Sequence, residues 1–242
     1  MKNIVLLLLV GVLFFSCNPI TERMDGYEVH GIDVSHYQAN IDWKKVAQQN
    51  INFAFVKASE GETLKDSLFL TNWNALKKEG IYRGAYHFFR PSISATAQAL
   101  HFIEQVDLEK GDLPPVLDIE VMDGVSEERL ISGLKKWLSI VETEYQIRPI
   151  IYTNLNYYQK HLAAHFSDYP MWIARYSEHN PRLNGNQKWQ FWQYGNRGQI
   201  KGIDGFVDFN VFAGSIEELE AMTIMPTTYR PILEEPSISI VW

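Results

Sequence analysis

Leu113-Pro114-Pro115-Val116-Leu117-Asp118-Ile119-Glu120 is a hydrophobic run that ends in two carboxyl groups two residues apart. Read as a β-strand, its successive side chains point to opposite faces, so Asp118 and Glu120 share one face and Ile119 takes the other. An apolar strand with an acidic end suits a buried parallel sheet whose strand ends line a site.

Outward from this run, strand-like and helix-like segments alternate from Tyr27 onwards, as in βα units around a parallel sheet. Runs rich in β-branched and aromatic residues lie at Val29–Ser35, Phe53–Ala58, Tyr82–Phe88, Pro115–Glu120, Pro149–Thr153, Met171–Ala174, Trp189–Tyr194 and Phe206–Phe209. Helical patterns separate the first six, at Trp43–Gln49, Ser67–Glu79, Ala95–Val106, Glu127–Tyr145 and Asn156–Phe166. Ser126 is placed to cap the fourth of these, with Glu127 and Glu128 in the first turn where the helix dipole favours acids. The last three strands leave no room for full helices. The expected fold is therefore α/β, an irregular TIM-like β/α barrel of eight strands and about five helices spanning residues 27–222.

A chain of 242 residues, 46% hydrophobic and 21% charged, is long enough to bury the core of one such barrel, which excludes a disordered or fibrous class. Its net charge of −7 argues against holding nucleic acid or anionic lipid by electrostatics. At the N-terminus, Lys2 precedes an apolar run, Ile4 to Phe15, of roughly 12 residues, too short to span a bilayer and suited to an export signal. Cys17, the single cysteine, follows Ser16 at the end of that run and resembles the lipidated residue of a bacterial lipoprotein. On this reading residues 1–16 are a signal peptide, 17–26 a polar tether and 223–242 a C-terminal tail. The mature protein is then exported and held to a bacterial membrane through lipid on Cys17, facing the cell envelope.

Collecting the C-terminal ends of the strands gives Asp33, Tyr86 and His87, Asp118 and Glu120, Tyr152 and Asn154, Trp172 and Arg175, then Trp192, Gln193 and Tyr194, then Asp208 and Asn210. Acids mixed with aromatic rings describe a carbohydrate cleft, because ring faces pack on sugar C–H surfaces while carboxyls handle hydroxyls and protons. The chain has no Cys/His cluster, HExxH, GxxxxGK[ST] or GxSxG pattern, so no metal or cofactor is expected.

Gly31-Ile32-Asp33-Val34-Ser35, Phe55-Val56-Lys57-Ala58-Ser59-Glu60-Gly61, Gly84-Ala85-Tyr86-His87-Phe88, Leu117-Asp118-Ile119-Glu120, Trp192-Gln193-Tyr194 and Val207-Asp208-Phe209-Asn210 together resemble the glycoside hydrolase family 25 lysozymes from about Val29 to Gly214. The resemblance implies cleavage of the β-1,4 bond between N-acetylmuramic acid and N-acetylglucosamine in peptidoglycan strands; a monomer with no nucleic-acid partner is expected. Glu120 is the candidate general acid, since a neighbouring carboxylate and partial burial would raise its pKa, and Asp118 is expected to stay ionised. By analogy with substrate-assisted glycosidases, Asp118 would stabilise an oxazolinium formed by the substrate's acetamide. The family likeness adds Asp33 to the catalytic group and Asp208 near the closing strand. Tyr86, Tyr152, Trp172 and Gln193 are the further candidate substrate contacts, and Lys57 and Glu60 are spaced for an ion pair. His36 and His87 fit structural roles better than catalytic ones. A non-catalytic wall-binding lipoprotein and a chitin hydrolase are the alternatives; the DxxDxDxE pattern of the latter is not met, because Pro114 and Pro115 occupy its start.

Overall fold

The computed structural model describes residues 23–185 and 187–225. The signal peptide, Cys17 and most of the C-terminal tail lie outside them. Nine strands occur in the described chain: β1 (His30–Val34), β2 (Phe53–Glu60), β3 (Leu64–Lys65), β4 (Tyr82–Phe88), β5 (Val116–Asp118), β6 (Ile150–Asn154), β7 (Met171–Ala174), β8 (Phe191–Gly198) and β9 (Val207–Phe212). Eight of them close a barrel in the order β1-β9-β8-β7-β6-β5-β4-β2, with β2 returning to pair with β1, while β3 only folds back on the end of β2. Seven barrel strands run parallel. β9 is antiparallel to both β8 and β1, because only a short loop joins β8 to β9 and the chain must reverse there.

Helices α1 (Trp43–Ala47), α2 (Phe69–Glu79), α3 (Ala95–Gln105), α4 (Glu127–Tyr145) and α5 (Leu155–Tyr157) fill the five connections between β1 and β7. A π-helical turn, Tyr158–Leu162, continues α5. Ser126 caps α4 as expected, its side chain accepting from the Arg129 N–H at 3.3 Å. A sixth helix, α6 (Ile216–Ala221), follows the barrel on a Ser215/Glu218 capping box, a Ser-x-x-Glu signal absent from the expected plan.

Two buried layers follow from strand alternation. Outward residues such as Ala54, Val56, Leu117 and Ile119 meet the helices through Leu134, Trp137 and Leu138. Inward residues Phe53, Phe55, Val116, Ile150, Trp172 and Phe191 plug the barrel, with the Phe55 and Trp172 rings stacked 4.4 Å apart. The plug needs space that two glycines supply: Gly31 lies in register with Phe53, and Gly84 with Phe55. A Cβ on Gly31 would stand 2.4 Å from the buried Phe53 ring. Gly31→Ala should therefore cost about 1–3 kcal/mol, lowering Tm by roughly 5 °C in a thermal melt; an unchanged Tm would show that the plug is loosely packed.

No helix covers β8. Residues 23–27 lie there instead, with the Tyr27 ring 6.0 Å from both Trp189 and Trp192 and the Met24 N–H donating to the Tyr194 hydroxyl at 3.2 Å. Arg23 donates to the carbonyls of Gln49 and Asn50. The end of the expected polar tether is thus a packed strap.

Candidate active site

Above the aromatic plug, the inward side chains turn polar and line a cleft of about 230 Å³. Each of the eight barrel strands, or the residues just beyond it, contributes: Asp33 from β1, Lys57 from β2, Tyr86 and Phe88 from β4, Asp118 and Glu120 from β5, Tyr152 from β6, Trp172 and Tyr176 from β7, Gln193 from β8 and Asp208 from β9. β5 ends at Asp118, yet the alternation continues for two residues. Ile119 is fully buried towards the helices while Glu120 stands exposed at the cleft rim.

A chain of hydrogen bonds orients the floor. The Trp172 indole can only donate, and it reaches Asn210 Oδ1 at 2.8 Å, so the Asn210 amide must turn its N–H groups to Asp33. Asn210 Nδ2 and Gln193 Nε2 donate to Asp33 Oδ2 at 2.7 and 2.9 Å. Gln193 Oε1 in turn accepts from the hydroxyls of Tyr152 and Tyr176, at 2.8 and 3.1 Å. The Asp33 carboxyl is therefore held by two amides, that of Asn210 oriented by an indole that can only donate and that of Gln193 by two tyrosine hydroxyls.

Four carboxyls share this cleft, and burial raises the pKa of every one. Asp33 is pushed up to about 6, burial outweighing the hydrogen bonds from Gln193 and Asn210. Asp208, its partner in strand register, rises to about 8 through burial and the Asp33 charge. Glu120 is raised by burial and then by Asp33. Asp118 is raised well above the usual carboxylate range, by burial first and then by Glu120, with Lys57 pulling the other way. Its Oδ1 is buried without a hydrogen-bond partner. The sequence reading leaves Asp118 ionised and gives the proton to Glu120; the structure places Asp118 deeper, and burial raises both carboxyls, while the rim position of Glu120 keeps one side open to solvent.

Lys57 donates to Glu60 Oε2 at 2.7 Å, as its spacing predicts, and lies 5.2 Å over the Phe88 ring. Arg90 completes this side by donating to Glu60 at 3.3 Å and to both oxygens of Asp123 at 2.8 and 2.9 Å. Glu60 is thus held between two cations beside the cleft.

Asp33, Asp118, Glu120, Tyr86, Tyr152, Trp172, Gln193 and Asp208 all meet in the cleft. Trp192 and Tyr194 do not: they flank Gln193, so the pleat sends them outward to the strap. His87 also faces outward, buried between Ser59 Oγ at 2.8 Å and Gln98, and burial lowers it to about 3. His36 pairs with Asp66 at 2.7 Å. Tyr176 and Phe88 were missed, although each lies two residues past a strand residue on the cleft face, which is the signal that would have found them.

Residues 32–203 match the family model for glycosyl hydrolases family 25. The chain belongs to that family. Family 25 relatives include lysozyme M1 of Streptomyces globisporus, 34% identical over 212 residues that cover 80% of this chain and 71% of the relative. The uncharacterized protein YegX of Escherichia coli K12 is 46% identical over 200 residues, covering 81% of this chain and 73% of its own length. Among solved structures, a family 25 glycosyl hydrolase from Bacillus anthracis superposes with a TM-score of 0.79 at 34% identity, covering 86% of this chain and 99% of that one. The barrel with one reversed strand is thus a family 25 fold, and the cleft lies at the end where barrel enzymes place their chemistry.

Proposed function

We propose that the protein is an N-acetylmuramidase that cleaves the β-1,4 bond between N-acetylmuramic acid and N-acetylglucosamine in peptidoglycan, tethered to a bacterial membrane through lipid on Cys17. The observation that carries the reading is the carboxyl pair itself: Asp118 deep and without a hydrogen bond on Oδ1, Glu120 at the open rim. A sugar entering the cleft covers Glu120 and excludes water from it, which strengthens its hold on a proton. The substrate's acetamide N–H offers Asp118 the donor it lacks, which favours its ionised form. Binding therefore favours Glu120 as the acid and Asp118 as the anion.

From that state the acetamide oxygen attacks the muramic C1, the C1–O4 bond breaks, and the leaving oxygen takes the Glu120 proton. The oxazolinium that forms carries positive charge beside Asp118, where low polarity makes the attraction strong. Water then attacks C1, giving its proton to the Glu120 carboxylate and restoring the acetamide. Tyr86, Tyr152, Trp172 and Gln193 line the sugar's seat, and the Asp33–Asp208 pair sets the charge beneath it.

Incubating the purified protein with peptidoglycan and identifying the products by mass spectrometry tests the reading. New reducing ends on N-acetylmuramic acid, with the β configuration retained, are expected. Reducing ends on N-acetylglucosamine would make it a different glycosidase, an inverted product would remove the acetamide route, and binding without any product on several peptidoglycans would point to the wall-binding module.

A further inference from the structure

Beyond Glu120 and Tyr176 the cleft opens into a larger groove of about 860 Å³, lined by Asn154, Asn156, Gln159, Arg175 and Arg182. Arg175 and Arg182 also line a neighbouring recess of about 680 Å³. Among the described residues neither guanidinium forms an ion pair, even though the chain carries 29 acids against 22 lysines and arginines. Glu178 lines the same recess without pairing to either. Arg175, half-buried at the end of β7, is aimed by one bond from Nη1 to the Asn180 carbonyl at 2.8 Å, which leaves its other donors unused. The polarity of the site thus changes along its length: a floor of four carboxyls, then two unpaired cations flanked by three amides.

A muramic residue stripped of its peptide offers those cations only the lactyl carboxylate, held one ether link from the sugar ring. The peptide that joins this lactyl group as an amide carries its free carboxylates further out, towards the groove beyond Glu120, and side-chain amides are suited to its backbone. We propose that the groove seats this stem peptide, with Arg175 and Arg182 binding its carboxylates, so that the protein selects peptide-bearing strands over bare glycan. This inference rests on the muramidase reading, because it takes the muramic residue to occupy the cleft beside Glu120. A guanidinium can meet a carboxylate with two parallel hydrogen bonds, which gives the contact specificity for a free acid over its amide.

The test compares three substrates: peptidoglycan with free stem carboxylates, the same glycan stripped of stems by an amidase, and peptidoglycan with amidated stems. The intact material is expected to show kcat/KM about tenfold above either of the others, the difference residing in KM. In Arg182→Gln the ratio should fall to within about twofold, and Arg182→Lys should restore part of it. Equal cleavage of all three by the unaltered protein, or an unchanged ratio in both Arg182→Gln and Arg175→Gln, would overturn the inference while leaving the muramidase reading intact. Titration with the free tripeptide L-Ala-γ-D-Glu-diaminopimelate, followed by NMR, separates the two further. Binding that Arg182→Gln weakens supports the groove's role even if no strand is cut, and absence of binding counts against it.

Discussion

Glu120→Gln is expected to lower the rate of peptidoglycan cleavage by about 10³-fold while leaving Tm within a degree or so. Glutamine keeps the size of the side chain and loses the proton that the leaving oxygen needs. The rim position explains the small effect on folding, because a side chain of the same size there leaves no cavity. An aryl glycoside with an acidic phenol as leaving group needs no proton, so its hydrolysis should suffer much less. Similar losses on both substrates would mean that Glu120 orients the sugar rather than protonating it, and undiminished cleavage of peptidoglycan would remove it from the reaction.

Asp118→Asn is expected to produce the opposite pairing of effects, a loss of activity of about 10³-fold together with a gain in stability above neutral pH. Unfolded carboxyls titrate near about 3.9. In the native cleft Asp33 is raised to about 6, Asp208 to about 8 and Asp118 higher than the usual carboxylate range. Between those limits the folded protein binds more protons than the unfolded chain, so stability falls as pH rises from about 4 towards about 8. A neutral side chain at 118 removes one buried acid and its repulsion of Glu120 and Asp33. The variant's Tm should exceed the parent's at pH 8, and the two melts should converge near pH 4. Curves that stay parallel across this range would show that the cleft carboxyls carry no such burden. Stability surrendered to hold an acid where a cation will form is a recognised cost of catalytic sites.

Much of the barrel could be read before any coordinates, for local reasons. β4 and β7 and helix α4 have the expected bounds because their patterns are long or sharply punctuated, as by Ser126 before Glu127 and Glu128. α6 was legible as well, through Ser215 and Glu218, but its single turn and a half gives too short a periodic pattern to stand out. The reversal of β9 follows from the short loop after β8, but its closure of the barrel against β1 is a long-range pairing that no local pattern encodes. In the site, residue identity was easier to read than residue depth. Asp118 and Glu120 share a face, as the pleat requires, yet their relative burial is set by β1, β6 and β9 closing around them. Trp192 and Tyr194 show the same limit from the other side, since both look like sugar platforms until the pleat assigns the cleft to Gln193 alone.

The strap at residues 23–27 also determines where the chain can be cut. A protease acting before Arg23 keeps every contact that residues 23–27 make with the barrel. One acting after Tyr27 strips the cover from Trp189, Trp192 and Tyr194 and leaves three adjoining aromatic side chains open to water, a surface prone to self-association. Active preparations should therefore begin no later than Arg23. Shorter ones should be lost to aggregation before any question of catalysis arises.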